Sequence, residues 1–155
     1  MTDKAKILFF TAAVLAASSA RASAPAGRYS VAPGIVTDTK TGLAWQQQYM
    51  TGLTQQAAVS YCAAQGSAWR LPTVKDLFTL YDLSYSGSGP GSGAVFLDTN
   101  AFGSVAYFDA FFWSSTVFAA DPNNTAWEVF FGEWVFNVTT SPISSGYTAS
   151  ARCVR

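Results

Sequence analysis

Histidine is absent from the 155 residues. Without it no Ser-His-Asp or Cys-His relay can form, no imidazole can ligate a metal, and no ordinary side chain titrates near neutrality. Charge is scarce too. Nine basic and nine acidic side chains make up 12% of the chain and cancel. A nucleic-acid binder needs a basic footprint, which this balance denies. The apolar run Ile7–Ala17 is shorter than the roughly 20 residues of a membrane-spanning helix. Apolar residues do make up half the chain, and 15% of it is aromatic. That composition forms a core and does not stay disordered, and the length fits one domain.

Lys4 and Lys6 precede Ile7–Ala17, and small residues run from Ser18 to Ala24. A charged start, a short apolar stretch and an A-x-A site are the anatomy of a secretory signal peptide, expected over residues 1–24. The cut falls after Ala22 or after Ala24. Pro25 is a poor residue to follow a cut, which favours Ala22. The alternatives, an uncleaved anchor or a buried helix, conflict with the length of the run. No cysteine lies near the cut to take a lipid. The exported part, residues 25–155, keeps six basic and eight acidic side chains, a net of −2. It is expected outside the cytoplasm: secreted, periplasmic or on the cell surface.

In such a compartment the two cysteines, Cys62 and Cys153, read as one disulfide, with two buried thiols as the alternative. A cysteine nucleophile would need a base, and there is no histidine to be one.

Patterning gives strands first. Arg28–Ala32, Ile35–Thr37 and Leu43–Gln47 are separated by turns at Pro33-Gly34 and Asp38–Gly42. Thr54 is placed to cap a helix over Gln55–Gln65, with Ala57, Ala58, Tyr61, Cys62 and Gln65 at i, i+3, i+4 spacing, Cys62 on its inner face and Gly66 as its stop. Thr73 caps a second helix, with Asp76 in the capping-box position and Val74, Leu77, Phe78 and Tyr81 as the apolar stripe. Ser84–Gly93, half glycine and proline, reads as a loop within one domain. Strands follow at Phe111–Ser115, Thr125–Phe131, Trp134–Val138 and Tyr147–Val154, the middle two joined tightly across Gly132-Glu133. Strands, two helices, then strands without βαβ alternation predict an α+β domain with a mainly antiparallel sheet.

Four segments in order resemble one known family: Thr37–Gln46 (TDTKTGLAWQ), Tyr61-Cys62, Trp69–Leu77 (WRLPTVKDL), and Phe112–Ser115 (FWSS) with the terminal Arg152-Cys153-Val154-Arg155. The chain is similar to the Lcl C-terminal domain family, named from the tail of a collagen-like bacterial adhesin, over about residues 28–155. The resemblance implies a C-type-lectin-like α+β fold related to formylglycine-generating domains, with Cys62 paired to Cys153. The adhesin prototype implies adhesion through sulfated glycans and a trimer. This sequence carries no collagen-like Gly-x-y stalk. Its −2 charge disfavours a polyanion. The catalytic cysteine pair of the formylglycine enzymes is missing.

Trp45, Trp69 and Trp113 read as core, because large rings dominate burial. Arg70, between Trp69 and Leu71, is expected to be partly buried with a carboxylate partner, Asp98 or Asp38. Ser114 and Ser115 read as hydrogen-bonded strand residues. The turn Asp121-Pro122-Asn123-Asn124, with Glu128 and Trp134 beyond it, is the candidate ligand-binding surface. Asp121, Asn123 and Glu128 are a weak calcium set, since calcium wants six to eight oxygens. Otherwise no cofactor is expected. Glu128 and Glu133 could face a cleft as glycosidase carboxylates, but solvated hairpin charges are the favoured reading. In the run Trp127, Phe130, Phe131, Trp134 and Phe136, burial is favoured over a face that stacks on sugar rings. The expectation is an exported, non-catalytic module for carbohydrate binding or surface-protein recognition. Its loops at Ser84–Gly93 and Ala119–Thr125 would meet the ligand. The alternative is a structural or assembly part of the envelope or of an extracellular oligomer.

Overall fold

The computed structural model describes residues 24–82, 95–132, 138–143 and 146–155. The expected signal segment up to Ser23, the loop Ser84–Gly93, and Glu133, Trp134 and Phe136 lie outside these residues.

Three short strands, β1 (Tyr29–Ala32), β2 (Ile35–Asp38) and β3 (Ala44–Gln46), form an antiparallel sheet in that order. Its turns follow the sequence chemistry. Gly34 takes φ 77°, a conformation that costs glycine nothing. The Asp38 carboxylate accepts the Lys40 amide at 2.8 Å, closing the turn that ends at Gly42. A strand that alternation did not reveal, β4 (Met50–Leu53), follows; Gly52 at φ 70° coincides with its irregular register.

Helix α1 runs over Gln55–Ala63, capped by Thr54, whose hydroxyl accepts the Ala57 amide at 3.3 Å. Gln55, Ala58 and Cys62 are its buried residues, Ala57 and Tyr61 are half-buried, and Gln65 is exposed beyond its end. Helix α2 (Val74–Phe78) has the predicted capping box between Thr73 and Asp76. Only one turn long, it buries Leu77 and leaves Phe78 half-exposed, so Phe78 is not part of the apolar stripe. The sequence suggested two helices; a third, α3 (Thr99–Phe102), is capped by Asp98. A single 3₁₀ turn follows at Tyr107–Asp109.

The second sheet has the order β4-β8-β5-β6-β7, with β5 at Phe111–Val117, β6 at Thr125–Phe130, β7 at Val138–Pro142 and β8 at Ala149–Ala151. All pairs are antiparallel except β5 with β8. β7 starts where the expected strand was to end, and Val129 pairs with Val138. A turn at Gly132-Glu133 would pair Val129 with Phe136. The chain leaves the β6–β7 ladder earlier, because the Phe131 amide bonds to Ala110 and its carbonyl accepts from Phe96. Gly132 passes there against the Phe130 ring, where a Cβ would lie 2.2 Å from Cζ.

Successive residues on β5 face opposite ways. Phe112, with Val129, Phe131, Leu77, Phe102 and Trp45, enters one core cluster. Trp113, with Ala126, Ala151, Leu71, Ala58 and Cys62, enters the other. The C-terminus joins both sheets. Beyond β8, the Cys153 and Arg155 carbonyls accept from Gln46 and Ala44 of β3, and Val154 exchanges bonds with Arg70. The Cys62–Cys153 disulfide closes this seam, with Cα atoms 5.3 Å apart. The result is a mixed α+β fold with a mostly antiparallel sheet. Among the described residues no helix is long and apolar enough to cross a membrane.

Candidate functional site

The turn between β5 and β6 is built by Asp121. Its carboxylate accepts from the Asn124 amide group at 2.8 Å and the Thr125 hydroxyl at 3.2 Å, and its carbonyl accepts the Thr125 amide at 3.0 Å. Asn123 and Asn124 stand exposed, while Asp121 is half-buried. The Asn124 carbonyl accepts the Ile143 amide at 2.7 Å, which ties the turn to the end of β7.

Glu128 is not on that turn. It lies on β6, about 10 Å further along at the usual rise per residue. It is 1% exposed, so it is not a solvated hairpin charge. The structure therefore does not bring Glu128 to Asp121 and Asn123. Among the described residues no group of three His, Cys, Asp or Glu could hold a metal ion.

What surrounds Glu128 is a hydroxyl pair. Ser141 from β7 and Tyr147 both donate to Oε1, at 2.8 and 3.1 Å. Oε2 is buried and meets no hydrogen-bond partner among the described residues. Burial pushes the Glu128 carboxyl up, against the two hydroxyl bonds that favour its anion. Burial, then the neighbouring Glu128, pushes the Tyr147 phenol up to about 12, so it stays protonated.

The aromatic run is core where it is described. Phe130 and Phe131 are both buried, in the same core cluster. Phe130 stacks on Phe111 at 4.1 Å, and Phe131 meets Phe112 edge-on at 5.6 Å. Trp127 is half-buried against Phe118. Trp45 and Trp113 are fully buried, and the Trp113 indole donates to the Leu53 carbonyl at 2.8 Å. Trp69 is half-buried beneath the Arg155 guanidinium, 4.8 Å away. Ser114 and Ser115 donate to the carbonyls of Trp127 and Pro72.

Arg70 departs from expectation. Its side chain is 46% exposed and pairs with Asp76 at 2.7 Å, neither Asp98 nor Asp38. Asp38 is taken by Arg28, and Asp98 by the amides of Asn100 and Ala101. The buried cation is Arg152, which sequence reading missed. It bonds the Gln46 and Gln47 carbonyls and lies within 5.7 Å of the ring centres of Tyr49, Phe102 and Phe112. Burial pulls its pKa down to about 10, still charged at neutrality. The only hint was its place beside Cys153.

Two surface features remain. A cleft of about 190 Å³ lies between Ala24–Tyr29 and Asp98–Ala101. It is below the usual range for small-molecule sites, about 300–1,000 Å³. Phe108, on the 3₁₀ turn, is 89% exposed. It stands edge-on to Tyr107, which is itself wedged edge-on against Phe130. Asp109 beside it accepts from the Tyr49 hydroxyl at 3.5 Å. Sequence reading did not separate Phe108 from the buried phenylalanines that follow it.

A family model described as the Lcl C-terminal domain matches residues 34–155. No curated protein and no solved structure matches the chain.

Proposed function

Because the chain belongs to the Lcl C-terminal domain family, we propose that it is an exported, non-catalytic module that recognises a glycan or a surface protein. In this reading residues 1–24 are the export signal, residues 25–155 are one C-type-lectin-like domain, and the protein works in the periplasm, at the cell surface or outside the cell. The chemistry of the chain supports binding over turnover: no histidine is available, and both cysteines are consumed in the bridge.

The observation that carries the reading is Phe108. A ring 89% exposed, yet braced through Tyr107 onto the Phe130 core contact, loses little freedom when a ligand stacks on it. Asp109 next to it can accept hydroxyl hydrogens, and its charge favours a neutral saccharide over a polyanion. The exposed Asn123 and Asn124 offer further amide groups on the β5–β6 turn.

A glycan array on the mature domain, with and without calcium, tests this. Phe108→Ala is expected to weaken a reproducible hit by about tenfold or more, as for other anchoring aromatics. Asp121→Ala is expected to weaken it if the β5–β6 turn contributes. A blank array together with a stable oligomer by light scattering would replace this reading with the assembly role.

A further inference from the structure

The Glu128 carboxyl is enclosed by three elements. β6 carries it, β7 supplies Ser141, and Tyr147, two residues before β8, closes over it. Trp113, its partner across β5, supports the Tyr147 ring edge-on at 5.5 Å. Thr139 is its partner across β7. Among the described residues Tyr147 is the titratable group that faces it; Trp113, Thr139 and Ser141 carry no charge. Neither ion pair among the described residues includes Glu128.

We propose that Glu128, Ser141 and Tyr147 form a pH-responsive latch, which holds β7 and Tyr147 against β6 while the carboxyl is neutral and loosens when it ionises. An ionised Glu128 would leave a charge in a buried site with one oxygen bare, an arrangement proteins tolerate poorly. Tyr147 is the half-exposed member of the three, while Glu128 and Ser141 are buried. Burial outweighs the two hydroxyl bonds and raises the folded carboxyl above its ordinary range. A carboxyl so shifted contributes stability that is fully present below the unfolded value. That stability is lost as pH rises through the folded value.

The consequence reaches the surface. The end of β7 is bonded through the Ile143 amide to the Asn124 carbonyl, so a loosened β7 removes that tie from the Asp121–Asn124 turn. Acid would thus favour the ordered turn, and a rise in pH would favour its release. No ligand is needed for this, so the latch stands or falls separately from the binding function.

Hydrogen exchange, followed by mass spectrometry and corrected for the intrinsic pH dependence, reads the latch directly. Between about pH 4 and about pH 8, exchange in peptides covering 138–143 and 146–151 is expected to rise several-fold in the intact domain. Peptides of α1 should stay unchanged. Glu128→Gln should abolish the rise. Tyr147→Phe removes one donor to the anion, so it should steepen the rise; circular dichroism checks that this variant folds. A flat profile in the intact domain would overturn the proposal. So would the same rise in Glu128→Gln, or a Tyr147→Phe profile identical to the parent.

Discussion

Arg152 shows how a charge is kept inside a protein without a carboxylate. Its guanidinium faces three rings and two backbone carbonyls, while Nε and Nη2 find no partner among the described residues. Flat, weakly hydrated and delocalised, the group suits an aromatic enclosure better than an ammonium does. Arg152→Met should keep the stem but abandon the Gln46 and Gln47 carbonyls. The expected cost is about 2 kcal/mol, within the range for stranded buried acceptors. Arg152→Lys should recover part of it, and urea unfolding midpoints will rank the three. Its place beside Cys153 was the one sign of this burial in the chain. A sequence states that an arginine is present, but not that Tyr49, Phe102 and Phe112 come from three separate places to meet it. Arg70 illustrates the converse. Apolar neighbours suggested burial, yet the side chain reaches out to Asp76 on the next helix.

At the scale of elements, local chemistry was the better guide. Thr73 and Asp76 satisfy each other's backbone amides at the start of α2, as their spacing required. Burial raises the Asp76 pKa. Bonds from Arg70 and from the Thr73 amide and hydroxyl outweigh that and hold it below its ordinary value. A carboxyl held low stabilises the fold above its unfolded value, and the gain is lost as pH falls through the folded value. Thr73→Ala should therefore cost about 1 kcal/mol at neutral pH. Asp76→Asn should flatten the acid limb of a plot of thermal midpoint against pH. Where elements depend on distant partners, local reading fell short. β4 shows no alternation because three of its four residues are exposed, and it exists through its pairing with β8. The tight turn read at Gly132-Glu133 does not set the register: Val129 pairs with Val138, since Phe131 is drawn off to Ala110 and Phe96.

For the molecule as a whole, the C-terminal seam does what a larger core would do elsewhere. Residues 149–155 enter one sheet, cross to the other and are bolted to α1. The disulfide closes a loop of 91 residues. In a chain-entropy account it restricts the unfolded state by about 4–5 kcal/mol. A Cys62→Ser, Cys153→Ser double variant is expected to lose stability on that scale. Both sulfurs belong to fully buried residues, so the parent should resist mild reductant until it is partly unfolded. Unfolding curves with and without reductant will check both statements.

The sequence alone determined what depends on neighbours in the chain: the hairpins at Gly34 and Gly42, the two capped helices, the pairing of the only cysteines, and the family, through motifs spread along the chain. Only the tertiary structure decided exposure. It buried Glu128 and Arg152, turned Arg70 outward, and left Phe108 standing in solvent. The physical reason is that turns and caps are settled by bonds between residues a few positions apart. Burial is settled by which distant strand or helix arrives to cover a side chain.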